Sequence, residues 1–231
     1  MTLGFSVEAL VDAGRGGGAL KMGLRRLAEA DWLQPDFDCD ARRLAFEAGP
    51  QSLFVHPEAI DAGRLTASAV AFPTDWRLAD KMGLPLTAVH APIHGYAEQL
   101  AVGVDHFFQT LSAGPIHGRA NWFVVPTDAW RYMPADDPAA RSAHVDAANA
   151  GETLFVRCER QTVRRLPNTG AMLFTIGIAV APLGALSGAT VRKVAAGTAA
   201  QAAGERARRA APFYAGALTG YAAGRQALES V

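Results

Sequence analysis

Apolar residues recur at the helical period across residues 97–111, where Leu100, Val104, Phe107, Phe108 and Leu111 share one face and Asp105 and His106 lie off it. This pattern predicts the clearest helix of the chain. Residues 65–72 read as a strand ended by Pro73, and residues 121–125 as a short strand stopped by Pro126. Residues 153–158 alternate, with Leu154, Val156 and Cys158 on one face and Phe155 and Arg157 on the other. Residues 172–180 form a second strand that is apolar on both sides, and residues 167–170 between the two read as a turn. The stretch 153–180 is therefore expected to be an antiparallel pair that carries the charged segment 159–165 to one end of a sheet.

Shorter signals fill in the remainder. Residues 42–46 suggest a short helix, and the alanine-rich stretch 199–211 a helix closed by Pro212. Residues 14–18 are glycine-rich and read as mobile. Residues 126–151 are polar, hold three prolines and the neighbours Asp136 and Asp137, and read as a long loop. The sum is an α+β domain with a mostly antiparallel sheet, flanking helices and an alanine-rich C-terminal helix. Residues 1–50 are expected to be an N-terminal extension docked through Met22 to Leu24 and Trp32–Leu33, 51–190 the folded core, and 191–231 a helical tail.

Composition narrows the function classes. The chain has 231 residues, 50% of them hydrophobic, which suffices for a core of its own. Lys plus Arg equals Asp plus Glu at 22 each, so no global basic field exists to hold nucleic acid. Cys39 and Cys158 lie far apart in no metal-binding spacing, which fits a reducing compartment. The first residues lack a basic n-region, and the longest apolar run, 171–186, is interrupted by Gly177, Pro182 and Gly184. A cytoplasmic protein without a membrane span is expected.

Candidate chemistry concentrates in two places. Glu159, Arg160, Gln161, Arg164 and Arg165 crowd one segment, and guanidinium forks match carboxylates and phosphates. The alternative is a solvated charged face, which contributes little. His90 and His94 are spaced i, i+4, but Pro92 and Gly95 between and beside them argue against a helix that would align them as a chelate. His90 is then either a metal ligand or a hydrogen-bonded loop histidine. Asn121 and Trp122 after Arg119 are candidates to line a pocket, with Trp122 more readily a core residue. Residues 14–18 lack the Lys-Ser/Thr of a phosphate loop, and no nucleophile elbow is present.

Several blocks in order carry a resemblance. They are Met22-Gly23-Leu24 with Trp32-Leu33, Phe72-Pro73-Thr74-Asp75-Trp76-Arg77-Leu78 with Lys81-Met82-Gly83-Leu84-Pro85-Leu86, and Val89-His90-Ala91-Pro92-Ile93 with Tyr96. Val104-Asp105-His106-Phe107-Phe108, Arg119-Ala120-Asn121-Trp122 and Glu159-Arg160-Gln161-Thr162 with Arg164-Arg165-Leu166-Pro167 and Thr169-Gly170-Ala171 follow. Over residues 20–186 the chain resembles the haem-binding alpha subunits of the haem-dependent oxidative N-demethylases and their relatives. The resemblance implies a PAS-like fold and a haem b. It also implies oxygen-dependent oxidation of a small alkylamine to amine plus aldehyde, with electrons from a separate flavin and iron–sulfur reductase subunit.

Carried onto this chain, the resemblance implies His90 as the iron ligand, with His94 as its rival and Tyr96 in the same block. It places Arg164 or Arg165, together with Arg119, on the haem propionates. Glu159 becomes the carboxylate that attracts the amine, with Gln161 as its neutral neighbour. The family usually has Pro where this chain has His94, and Arg where it has His106, so an altered pocket is expected, with room for a substrate other than dimethylamine. A homo-oligomer is compatible with the pattern. A haem-based PAS sensor and a haem-free PAS-like scaffold are the competing classes.

Overall fold

The computed structural model describes residues 3–35, 39–48, 54–56, 64–133 and 137–229. Asp136 and the other residues outside those stretches are not described further. The elements run α1 (Val7–Ala13), β1 (Arg25–Leu27), α2 (Cys39–Ala48), β2 (Phe54–His56), β3 (Arg64–Ala67), α3 (Leu86–Val89), α4 (Tyr96–Gln99) and α5 (Ala101–Thr110). They continue with β4 (Ile116–Val125), α6 (Pro138–Ser142), α7 (Ala150–Thr153), β5 (Phe155–Arg165), β6 (Met172–Pro182), α8 (Gly188–Ala199), α9 (Ala203–Arg208) and α10 (Ala215–Glu229). This is an α+β architecture with an antiparallel sheet and flanking helices, as the alternation and the helical stripes require. The strand order is β1-β4-β5-β6-β2-β3. β1 pairs antiparallel with β4, β2 with β3, and β2 with β6.

The chain divides into two compact units, and β4, β5 and β6 give residues to both. The first comprises residues 1–3, 20–119 and 160–177. Its core packs Leu86, Leu111, Val163 and Met172 with Leu24, Val104, Phe107, Phe108 and Phe174. The apolar stripe predicted along 97–111 thus supplies Val104, Phe107, Phe108 and Leu111 to one cluster. Trp32 and Leu33 are buried. The turn between β5 and β6 closes through Leu166 N to Ala171 O at 2.8 Å and Gly170 N to Leu166 O at 2.9 Å. Gly170 has φ +70°, a left-handed position that glycine takes at no steric cost.

The second unit comprises residues 4–19, 120–159 and 178–231. Phe123, Val125 and Tyr132 cluster there with Phe155. Tyr214 donates its hydroxyl to the Val124 carbonyl at 3.1 Å, and the Arg209 guanidinium lies 3.7 Å from the Phe123 ring centroid. Glu205 accepts from Arg209 and, in a fork, from Arg208.

Six expectations change. The strand expected at 65–72 is β3 and ends at Ala67. The helix expected at 97–111 breaks at Leu100, whose φ −124° and ψ −33° separate α4 from α5. β4 begins at Ile116, earlier than 121, because Ile116, Gly118 and Ala120 alternate inward through a polar stretch whose small residues hid the period. The helix expected at 199–211 is two pieces: α8 ends at Ala199, and α9 runs from Ala203 to Arg208, with Pro212 in a following 3-10 turn. Residues 14–18 are packed rather than mobile. Gly18 N bonds the Ala200 carbonyl at 3.2 Å, Gln201 Nε2 bonds the Gly16 carbonyl at 2.7 Å, and a Cβ on Gly16 would meet the Trp122 ring at 2.2 Å. The long loop at 126–151 also contains α6, capped by Asp137 through Ala140 N at 3.0 Å.

Candidate functional site

Within the first unit, α3, α4 and α5 follow one another, and His90 caps the C-terminus of α3. Pro85 starts α3 and Gly95, at φ +77°, turns the chain into α4. The His90 ring stacks on Tyr96, centroids 4.5 Å apart and planes within 13°. His90 Nδ1 lies 2.8 Å from the Leu86 carbonyl. A carbonyl only accepts, so Nδ1 carries the hydrogen and Nε2 keeps its lone pair. Burial pushes the His90 pKa below the ordinary histidine range, against the pull of the Leu86 carbonyl, and the positive Arg119 and Lys81 push it further down. The imidazole is therefore held neutral, in one tautomer and one plane.

Tyr96 is buried, 5% exposed, and its hydroxyl is enclosed without a hydrogen-bond partner among the described residues. Burial pushes the phenol up to about 12, the Asp105 charge adds to the rise, and Arg119 opposes it. Burial also raises the Asp105 carboxyl. Lys81, 8% exposed, donates from Nζ to the Val89 carbonyl at 2.7 Å and is lowered by burial, against the pull of Asp80.

Arg119 on β4 donates from Nε to Gln161 Oε1 at 2.7 Å and from Nη1 to the Met22 carbonyl at 3.2 Å. The structure thus brings His90, Tyr96, Arg119 and Gln161 into one neighbourhood. Arg164 lies on Glu29 at 2.9 Å and over the Trp32 ring at 4.5 Å. Arg165 donates to the carbonyls of Leu111 at 2.7 Å, Phe108 at 2.8 Å and Gly170 at 3.2 Å. Three of its five N–H groups are thereby committed to backbone, and two remain. Arg160 donates to the carbonyls of Trp32, at 2.9 Å, and Asp31. His94 is exposed and makes no hydrogen bond among the described residues.

Glu159 belongs to the second unit, where it accepts from Asn121 Nδ2 at 3.2 Å. Cys158 beside it is fully buried, and burial, with the Glu159 charge, pushes its thiol up to about 12. Arg157, also fully buried, donates to the carbonyls of Ala129 at 3.1 Å and Trp130 at 2.7 Å.

Three further groups of the first unit were not singled out by the sequence. Lys81 and Asp105 stand in quoted blocks, yet the periodicity pointed only to the apolar positions around them. His117 lies edge-on to Phe107 at 5.4 Å with Nδ1 enclosed and without a hydrogen-bond partner among the described residues, and it stands between the inward positions Ile116 and Gly118, so the alternation of β4 does not mark it. An open depression of about 430 Å³ is lined by Arg26 to Glu29 and Gly114 to Ile116 and includes none of the residues named at His90.

The donor set fits a haem. No group of three His, Cys, Asp or Glu side chains able to chelate a metal ion occurs among the described residues. A porphyrin iron asks the protein for one or two axial ligands instead, and a neutral histidine whose Nδ1–H is fixed by a carbonyl presents Nε2 in the required form. No helix among the described residues is long and apolar enough to cross a membrane. No curated protein matches the chain. Residues 43–203, more than half of it, match the family model described as haem-dependent oxidative N-demethylase, alpha subunit-like.

Proposed function

Because the chain belongs to the haem-dependent oxidative N-demethylase alpha-subunit-like family, we propose that it is a haem-binding, PAS-like subunit acting in oxygen-dependent dealkylation of a small alkylamine. The products are an amine and an aldehyde. The observation that carries this reading is the His90 geometry: Nδ1 bound to the Leu86 carbonyl at 2.8 Å, a ring clamped on Tyr96, and a lone pair left on Nε2. His90 would hold the haem iron in this reading, in preference to the exposed and unbraced His94. Arg119 and the two uncommitted N–H groups of Arg165 would hold the propionates, with Arg164 as the alternative to Arg165. When bound, haem b supplies oxygen activation and the oxidation of the carbon next to nitrogen.

The protein's own part is to hold the imidazole neutral and oriented, to pair the acid tails, and to keep water from the reacting carbon. Gln161, bonded to Arg119, fixes the direction of that guanidinium. Glu159 is the carboxylate candidate of the charged segment for drawing in the amine. Electrons come from a separate flavin and iron–sulfur reductase subunit, and the compartment is the cytoplasm. The family match favours this reading over a haem-based sensor and over a haem-free scaffold.

The test is turnover. Haemin-loaded protein, supplied with a chemical or enzymatic reductant, oxygen and dimethylamine or a homologue, is expected to release aldehyde in proportion to amine consumed. Loss of rate in Glu159→Gln is expected, and an unchanged rate removes Glu159 from the reaction. A loaded protein that binds oxygen but releases no aldehyde from any small amine supports the sensor instead.

A further inference from the structure

We propose that Lys81 is the positioning residue for His90: its ammonium holds the peptide plane that carries the imidazole, and its bearing on iron rests on the functional reading above. Lys81 Nζ donates to the Val89 carbonyl at 2.7 Å. That carbonyl has no other hydrogen-bond partner among the described residues. The Val89 carbonyl and the His90 amide belong to one planar peptide unit. Its other end is bonded too, His90 N donating to the Leu86 carbonyl at 3.0 Å. The same Leu86 oxygen lies 2.8 Å from His90 Nδ1. The plane is thus pinned at both ends, and one of the two anchors also sets the tautomer of the ring. A slip of the plane would misalign the Nδ1–H bond, and such bonds weaken steeply off line.

The lysine is fixed in turn. Its backbone N donates to the Leu78 carbonyl at 2.9 Å, and its carbonyl accepts from Leu84 N at 3.1 Å. This turn is joined to β3 by Gly83 N on the Leu65 carbonyl at 2.8 Å and Leu65 N on the Leu84 carbonyl at 3.0 Å. Arg64 on β3 adds a bond from Nη1 to the Gly83 carbonyl at 2.9 Å. The sheet therefore holds the turn, the turn holds Lys81, and Lys81 holds the peptide before His90. A helix of four residues such as α3 has little cooperativity of its own, so an outside anchor decides where its last peptide stands. An ammonium is a strong donor for this task. A lysine that only satisfied a helix-end carbonyl would act on stability alone. This one shares its partner's peptide with the histidine and so acts on the direction of the ring.

The full chain, labelled with nitrogen-15 in its histidine rings, is followed by NMR without haem. The His90 signal is identified among the six histidines by its loss in His90→Ala. A ring protonated at Nδ1, with a slowly exchanging hydrogen, is expected in the parent. Lys81→Met keeps the length and removes the donor, and should speed that exchange by at least about tenfold, as loss of a charge-assisted bond does. Lys81→Arg, which keeps N–H donors, should restore most of the protection. Gly17→Ala, a change in the second unit, should leave the signal as in the parent. Circular dichroism shows whether each variant is folded. With haemin added, Lys81→Met should bind it at least about tenfold more weakly. A folded Lys81→Met protein with the parent's exchange rate overturns the proposal, as does a Gly17→Ala protein that exchanges as fast as Lys81→Met. If Lys81→Met does not fold, Lys81→Gln, whose shorter side chain stops short of the Val89 carbonyl, is read in its place with the same outcomes. A chain that ignores haemin while its His90 signal depends on Lys81 ends the haem reading and keeps the positioning role. Equal haemin binding with and without the lysine, with an unchanged His90 signal, ends the positioning role and keeps the haem reading.

Discussion

At the scale of single residues, the account depends on which hydrogens sit where. His90 is legible in the sequence only as a histidine in a block. Its value lies in the Leu86 carbonyl four residues earlier, which sets the tautomer and which no side-chain pattern reveals. His117 gives a pH prediction. Burial, reinforced by Arg26, lowers its pKa, so the unfolded chain binds a proton that the folded chain resists. Stability of the haem-free protein should therefore fall as pH drops below about 6.5, where an unfolded imidazole takes up its proton. His117→Phe, which fits the apolar contact with Phe107, should flatten that fall in urea titrations at several pH values. An identical slope in the variant would assign the loss to other groups.

At the scale of elements, the hairpin of β5 and β6 was readable because alternation and a Pro-to-Gly turn agree there on one structure. Its neighbours were harder. The break at Leu100 lies inside an unbroken apolar stripe, so periodicity runs straight across it. The alanine-rich stretch after 194 favours helix everywhere, and intrinsic propensity gives no reason to stop at Ala199. What stops it is contact: Gln201 turns its side chain onto the Gly16 carbonyl, and Gly18 takes the Ala200 carbonyl. The glycines at 16 and 17 are needed for that approach. A Cβ on Gly17 would stand 2.0 Å from the Gly197 carbonyl oxygen. Gly17→Ala should therefore lower stability by about 1–3 kcal/mol, the usual cost of overpacking. Chemical denaturation measures this, and a variant as stable as the parent would show that the segment can move aside.

At the scale of the whole molecule, sequence and structure agree on the α+β class, and the family match spans residues 43–203, through β5, β6 and all of α8. The candidate site was legible in part. His90, Tyr96, Arg119 and Gln161 were named from the chain and stand together in the first unit, whereas Glu159 belongs to the second. Which unit a residue packs into is a property of the folded chain, and neighbours in sequence such as Glu159 and Arg160 fall in different units. The most direct measurement is a haemin titration of the purified chain followed by its absorption spectrum, with His90→Ala and His94→Ala alongside. The account predicts a saturating Soret band at one haem per chain, displaced or weakened in His90→Ala and unchanged in His94→Ala. A chain whose spectrum ignores added haemin, or a His90→Ala protein with the parent's spectrum, would contradict it.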